Sequence, residues 1–179
     1  FFVLLFLVFG MSLHTFTGIF SGYENIDERD NNYWNYSGER VIDGARGFDI
    51  EGSRDVCWLL IHSYSSTPKE MRSLSYNISN RFGDYVRVPR LEGHGEVPSK
   101  IINLSIEDWY KQIDSEYEDM SGSCDKINVV GSSYGGAIAL ELAKQNSGDG
   151  RFNRLYVLNG YFGVKYKWYY IINPKYYVK

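Results

Sequence analysis

Only 4 of the 179 residues are proline and only 2 are cysteine, whereas 16 are tyrosine. Two cysteines cannot build the disulfide scaffold of a small secreted domain. With 3 histidines and no Cys/His cluster at zinc spacing, no metal is implied, and no motif calls for an organic cofactor. Basic charge is also short: 19 Lys plus Arg against 22 Asp plus Glu leave a formal net charge of -3. That balance lacks the electrostatic footprint of a nucleic-acid binder, so no such partner is expected. What is present, 44% hydrophobic and 23% charged residues, is globular composition and excludes a disordered acidic or collagen-like chain. The length suggests one domain, and no internal repeat is visible.

No Asp, Glu, Lys or Arg occurs before Glu24. About twenty apolar residues suffice to cross the hydrocarbon core as a helix. Residues 1–20 are therefore expected to form a transmembrane signal anchor, although Ser12, His14, Thr15 and Thr17 weaken its second half. A cleaved signal peptide is the close alternative, because Phe1–Phe9 alone resembles an apolar h-region, and a buried soluble helix is the third. The chain begins with Phe1 rather than Met, so the native N-terminus is expected upstream. The flank Glu24–Asp30 is mainly acidic, which allows a single-pass protein with its globular part outside the cytoplasm. Polar residues 21–38 read as a linker, and 39–179 as the domain.

Within the domain, strand and helix signals alternate. Gly47–Glu51, Val56–Ile61, Tyr85–Val88, Ile127–Val130 and Leu155–Leu158 read as strands. Met71, Leu74, Ile78 and Phe82 recur at helical spacing after Pro68, which suits a first turn. Ser105–Met120 is a helix opened by Ser105-Ile106-Glu107-Asp108, a capping box with Asp in place of Glu. Ala137–Ala143 is a third helix. This alternation implies βαβ units and a doubly wound, mostly parallel α/β sheet.

The strand Ile127–Val130 runs directly into Gly131-Ser132-Ser133-Tyr134-Gly135-Gly136 and a helix. This is G-x-S-x-G in the strand–turn–helix context that the nucleophile elbow requires. Gly131 and Gly135 leave room for a sharp turn that lifts the central Ser133 hydroxyl above the sheet edge. Backbone N–H groups at the following helix N-terminus face the same spot and can stabilise an oxyanion. The alternative is a Gly-rich strand–helix turn without chemistry, but no G-x-G-x-x-G or G-K-[ST] supports a phosphate-binding version.

A set of motifs follows in order: Gly44–Glu51, Leu59-Leu60-Ile61-His62, Arg87-Val88-Pro89-Arg90-Leu91-Glu92-Gly93-His94-Gly95, Glu107-Asp108-Trp109 and Gly131–Gly136. In that order the chain resembles the α/β-hydrolase superfamily of small carboxylesterases and monoacylglycerol lipases, over about Gly44 to Asn159. The resemblance implies that Ser133 is the nucleophile and that the backbone N–H groups of Tyr64 and Tyr134 form the oxyanion hole. It makes His62 and His94 structural. It also makes the strands ending at Ile61 and Val130 parallel neighbours, so Cys57 and Cys124 lie near one sheet edge, within reach of a disulfide if the compartment is oxidising.

Two departures from the family pattern stand out. The family commonly has His-Gly where this chain has His62-Ser63, and a Ser at a glycine-only backbone angle would strain the loop. The family also places its acid and its histidine after later strands, whereas His14, His62 and His94 all precede the elbow. A truncated α/β-hydrolase, incomplete at its C-terminus, is therefore expected, with a lid region beginning at about 161–179. In that last segment aromatics alternate with Lys165, Lys167, Lys175 and Lys179, and core-facing rings are the preferred reading. Asp114, Glu116, Glu118 and Asp119 read as a solvated helix face. Asn35, Asn77 and Asn103 begin N-glycosylation patterns that an Asn-rich chain produces by chance.

The resemblance thus implies a serine hydrolase cleaving small-molecule or lipid carboxylic esters through an acyl-enzyme on Ser133, held to a membrane by residues 1–20. A thioesterase or acyltransferase of the same fold, or a non-catalytic binding protein built on it, are the alternatives.

Overall fold

In the computed structural model, which describes residues 41–97, 99–102 and 104–161, the apolar runs become a 5-stranded sheet in the order β1-β3-β2-β4-β5. The strands are β1 (Phe48–Ile50), β2 (Ser53–Ile61), β3 (Asp84–Val88), β4 (Ile127–Ser132) and β5 (Phe152–Leu158). Pro68–Met71 forms a 3₁₀ turn that leads into α1 (Arg72–Phe82), followed by α2 (Ser99–Ile102), α3 (Ile106–Ser121) and α4 (Tyr134–Gln145). The expected membrane segment 1–20, the linker 21–38 and the lid residues from 162 onward lie outside the described residues. Among the described residues no helix is long and apolar enough to cross a membrane.

β2, β3, β4 and β5 run parallel, whereas β1 pairs antiparallel with β3. The reason is chain length: only Glu51 and Gly52 link β1 to β2, too few for a crossover, so β1 must run opposite to β2 and its parallel partner. Alternation along β2 then sorts the core onto two faces. Cys57, Leu59 and Ile61 pack with Trp109, Ile113, Tyr117 and Met120 of α3 and with Ile138, Ala139 and Leu142 of α4. Leu60 faces the other way, with Val86, Val88 and Val130, against Met71 and Ile78 of the 3₁₀ turn and α1. Helices on both faces explain why β2 reads as a continuous apolar run. Leu59, Leu60 and Ile61 are fully buried, each contributing about 1.5–3 kcal/mol.

The capping box at α3 forms: the Asp108 carboxylate accepts hydrogen bonds from the Ser105 N–H and Oγ–H, both at 2.8 Å. The acidic face of α3 is a correction to the sequence reading. Glu116 and Asp119 are not merely solvated; both pair with Arg87 of β3, which also reaches Asp49 of β1. That pattern joins residues far apart in sequence, so helical spacing alone could not show it. The short α2 was not foreseen, since four residues are too few to show a helical period. Among the described residues β5 is the last strand of the sheet, and Tyr156 on it stacks with Trp58 at 5.7 Å.

At the N-terminal edge of the central strand pair, Cys57 and Cys124 form a disulfide with a Cα–Cα separation of 6.0 Å. Cys57 lies in register with Ile127, and Cys124 sits just before β4, so pairing of β2 with β4 brings the two together. Closing a loop of sequence separation 67 stabilises the fold by about 4 kcal/mol in the chain-entropy picture.

Candidate active site

β4 ends at the opposite, C-terminal edge of the sheet and turns at once into α4. Ser133 occupies that turn with φ 50° and ψ -112°. Among the described residues the only other non-glycine with positive φ is Asn159, at 48°. Such a conformation costs on the order of 1–3 kcal/mol and persists only where the surroundings over-determine it. Here they do. The Ser133 N–H donates to Leu158 O at 2.8 Å, and Ser133 O accepts from the N–H groups of Gly136 and Tyr161, each at 3.0 Å. The end of β5 thus holds both sides of the Ser133 backbone.

The glycines of the motif are dictated by contact. A Cβ on Gly131 would lie 2.3 Å from Gly135 O, and one on Gly135 would lie 2.5 Å from His62 O. The first turn of α4 therefore presses directly onto β4 and onto the end of β2. This close approach brings the β2 loop, with Tyr64, against the elbow: the Tyr64 and Tyr134 rings meet edge to face at 5.6 Å. Tyr134 is the first residue of α4, so its N–H belongs to the turn that has no intrahelical acceptor. The structure thus assembles Ser133, Tyr64 and Tyr134 in one place.

Trp109 and His94 complete an aromatic cluster there. Trp109 lies 5.7 Å from Tyr64, 5.3 Å from His94 and 5.9 Å from Tyr134, in edge-on geometry. Burial is the main cause that raises both tyrosine hydroxyls, Tyr134 to about 12, so neither phenol is a base near neutral pH. The Trp109 indole N–H donates to Glu92 O at 3.0 Å, which ties α3 to the loop after β3.

Both described histidines are structural. His62 is fully buried; its Nε2 accepts from the Leu91 N–H at 3.1 Å, and its Nδ1–H donates to Ser63 O at 2.8 Å. Desolvation by burial lowers its pKa to about 4, so the ring is neutral and both nitrogens are occupied. His94 donates from Nε2 to Tyr64 O at 2.7 Å, and its Nδ1 sits 3.2 Å from Glu92 O. Burial, the largest influence, lowers its pKa as well. His62 has both ring nitrogens bonded and His94 is turned to two backbone carbonyls, so among the described residues no histidine is hydrogen-bonded to Ser133. Nor is any group of three or more His, Cys, Asp or Glu side chains there placed to hold a metal ion.

Two details depart from the sequence reading. Ser63 does not adopt a left-handed backbone angle, so replacing the family's glycine introduces no strain of that kind. Ser63 and Ser132 also share a partner that was missed. The Glu70 Oε2 accepts from the Ser63 N–H at 2.9 Å and from Ser63 Oγ at 2.8 Å, while its Oε1 accepts from Ser132 Oγ at 2.7 Å. Burial alone would raise the Glu70 pKa, but the hydrogen bonds from Ser63, Ser132 and Ser66 outweigh it and hold the carboxyl below its ordinary value. The available signal was the pair of hydroxyls just before Tyr64 and just before Ser133, each needing a partner.

No protein-family model matches the chain. Over 106 residues it is 33% identical to the thermostable monoacylglycerol lipase of Bacillus sp. strain H-257, covering 59% of this chain and 42% of that protein. It is 32% identical over 96 residues to the carboxylesterase of Bacillus subtilis strain 168, covering 53% of this chain and 38% of that one. The chain therefore spans about two fifths of the length of these curated relatives. Among solved structures it resembles a chain from the work on LipS and LipT, two metagenome-derived lipolytic enzymes. That likeness has a TM-score of 0.67 and 29% identity, over 75% of this chain and 54% of that one. A monoacylglycerol lipase of Paleococcus ferrophilus shares the fold with a TM-score of 0.53 at 22% identity, over 64% of this chain and 42% of that one. The chain thus resembles lipases and esterases of the α/β-hydrolase superfamily, as read from the sequence, and its described residues share their mostly parallel sheet flanked by helices.

Proposed function

We propose that this protein hydrolyses carboxylic esters through an acyl-enzyme on Ser133. The observation that carries the reading is the Ser133 backbone, held at φ 50° on a strand–helix turn beside Tyr64. The relatives named monoacylglycerol lipase and carboxylesterase support the substrate class. Ser133 Oγ attacks the ester carbonyl carbon as its proton passes to a base that the described residues do not supply. The carbonyl oxygen becomes an oxyanion that the N–H groups of Tyr64 and Tyr134 stabilise. Collapse expels the alcohol, protonated by the same base, and leaves the acyl group on Oγ. Water activated by that base then releases the carboxylate and restores the serine.

The site is expected to work outside the cytoplasm, on a chain anchored by residues 1–20. The buried Cys57–Cys124 disulfide supports an oxidising compartment. A chain starting at Ser21 should then leave the membrane fraction, and equal partitioning of both forms would reject the anchor.

The decisive test uses the product of the complete gene. It should label with a serine-directed fluorophosphonate and hydrolyse p-nitrophenyl butyrate. Ser133→Ala should abolish labelling and lower kcat by about 10⁴–10⁶ fold. Labelling that survives the substitution would reject Ser133 as the nucleophile. The 179-residue chain alone should label weakly, since neither His62 nor His94 is hydrogen-bonded to Ser133.

A further inference from the structure

The two halves of the candidate oxyanion hole belong to different parts of the chain. Tyr64 lies on the loop after β2, and Tyr134 opens α4 after β4. Their N–H groups act on one oxygen only if the two segments keep a fixed separation, and an error of about 1 Å costs orders of magnitude in rate. The Glu70 carboxylate spans that gap. One oxygen takes both the N–H and the hydroxyl of Ser63, the neighbour of Tyr64. The other takes the hydroxyl of Ser132, the neighbour of Ser133. Glu70 itself is rigidly placed, because it sits in the 3₁₀ turn behind Pro68 and its N–H donates to Thr67 O at 2.9 Å.

We propose that Glu70 is a positioning residue that sets the spacing of the oxyanion hole by binding Ser63 on one side and Ser132 on the other. The proposal rests on the acyl-enzyme reading of Ser133 and adds a carboxylate that touches no reacting atom. It gives Ser63 and Ser132 their function: each lends a hydroxyl to the strut. It also explains why a serine serves in the β2 loop where the family commonly has glycine. Charge-assisted hydrogen bonds of this kind are roughly twice as strong as neutral ones, which makes one carboxylate sufficient to hold two loops.

The test uses the product of the complete gene, three single variants and one double variant, with kcat and KM for p-nitrophenyl butyrate normalised to active sites titrated with fluorophosphonate. Glu70→Ala should lower kcat by about 10–100 fold with KM nearly unchanged, since one misplaced oxyanion donor costs up to about 10²–10³. Its affinity for an alkyl boronic acid, which mimics the tetrahedral state, should fall by the same factor. Glu70→Gln should restore kcat to within a few fold. The amide oxygen still accepts from Ser63, and the amide N–H₂ donates to a Ser132 hydroxyl turned round to accept. Ser132→Ala removes one arm and should cost about 3–10 fold on the same scale, with no further loss when combined with Glu70→Ala. If Glu70→Ala does not fold, Ser132→Ala and Glu70→Gln decide. Wild-type kcat and boronate affinity in Ser132→Ala, or a Glu70→Gln variant that loses kcat by about the 10–100 fold expected of Glu70→Ala, would overturn the strut. Wild-type protein that fails to label would instead reject the acyl-enzyme reading and the strut with it. Wild-type labelling with full kcat in Glu70→Ala would reject the strut alone.

Discussion

The two edges of the central β2–β4 pair are built by opposite means. At the N-terminal edge the chain is tied by a covalent bond between Cys57 and Cys124. The Asp125 N–H donates to Arg54 O, and the Cys57 N–H to Lys126 O, at 2.9 and 2.8 Å. Nothing there is strained in backbone angle. At the C-terminal edge no covalent tie exists among the described residues. There Ser133 and Asn159 hold positive φ, two imidazoles are buried, and the Glu70 carboxylate bridges two loops. The difference teaches where such a fold can store strain: at the edge that bears the proposed nucleophile, provided the other edge and the core are secure.

Four substitutions or conditions press on that contrast. The largest effect is expected from Gly131→Ala. Its Cβ would meet backbone, not a flexible side-chain tip, so the turn must open. The loss should be on the order of 5 kcal/mol, and chemical denaturation should find little or no folded protein. A variant that folds with wild-type midpoint would show that the elbow is looser than the glycine contacts imply.

Removing the staple at the other edge comes next. The double variant Cys57→Ala with Cys124→Ala should lose about 4 kcal/mol in denaturant titration, while kcat per titrated active site stays unchanged. A fall in kcat would mean that the two edges are coupled, contrary to the separation drawn above.

Acid separates the edges without any substitution. The folded-state pKa of His62 lies near 4, below the unfolded value of 6.5, so the unfolded chain binds more protons between those values. Stability is therefore full above about pH 6.5 and falls as pH drops towards 4, by about 3 kcal/mol for His62. His94 is shifted in the same direction and adds to the loss. Relative to the intrinsic rate at each pH, hydrogen-exchange protection at pH 5 should fall first in the β2 loop and around Leu91, and last near Cys124. A uniform fall in protection would place the acid sensitivity elsewhere.

The smallest effect carries the opposite sign. Ser133→Gly relieves φ 50° but adds flexibility to the unfolded chain, so the net gain should be about 1 kcal/mol, seen as a higher Tm with activity lost. A drop in Tm would show that the Ser133 side chain contributes more to the fold than its backbone angle costs.

The sequence alone carried the strand–helix alternation, because β2, β4 and α4 are long enough for their apolar period to exceed the noise of composition. It also carried the sharp strand–helix turn at Ser133, since G-x-S-x-G combines two glycines whose absence of Cβ is a steric requirement of the turn. Ser105–Asp108 was legible for the same local reason: a capping box closes within four residues. Other features depended on residues that only folding brings together. The pairing of β1 with β3 rather than with β2 was decided in the sheet, and the Arg87 pairs by the packing of α3 on β3. The formed disulfide needed the β2–β4 register, and the absence of left-handed strain at Ser63 needed the actual loop. Glu70 was the least legible, because its partners Ser63 and Ser132 lie 7 and 62 residues away and meet only across the edge of the sheet. Local sequence determines what a segment can form by itself; which side chains share a carboxylate is decided by the tertiary structure, since hydrogen bonds act over about 3 Å whatever the separation along the chain.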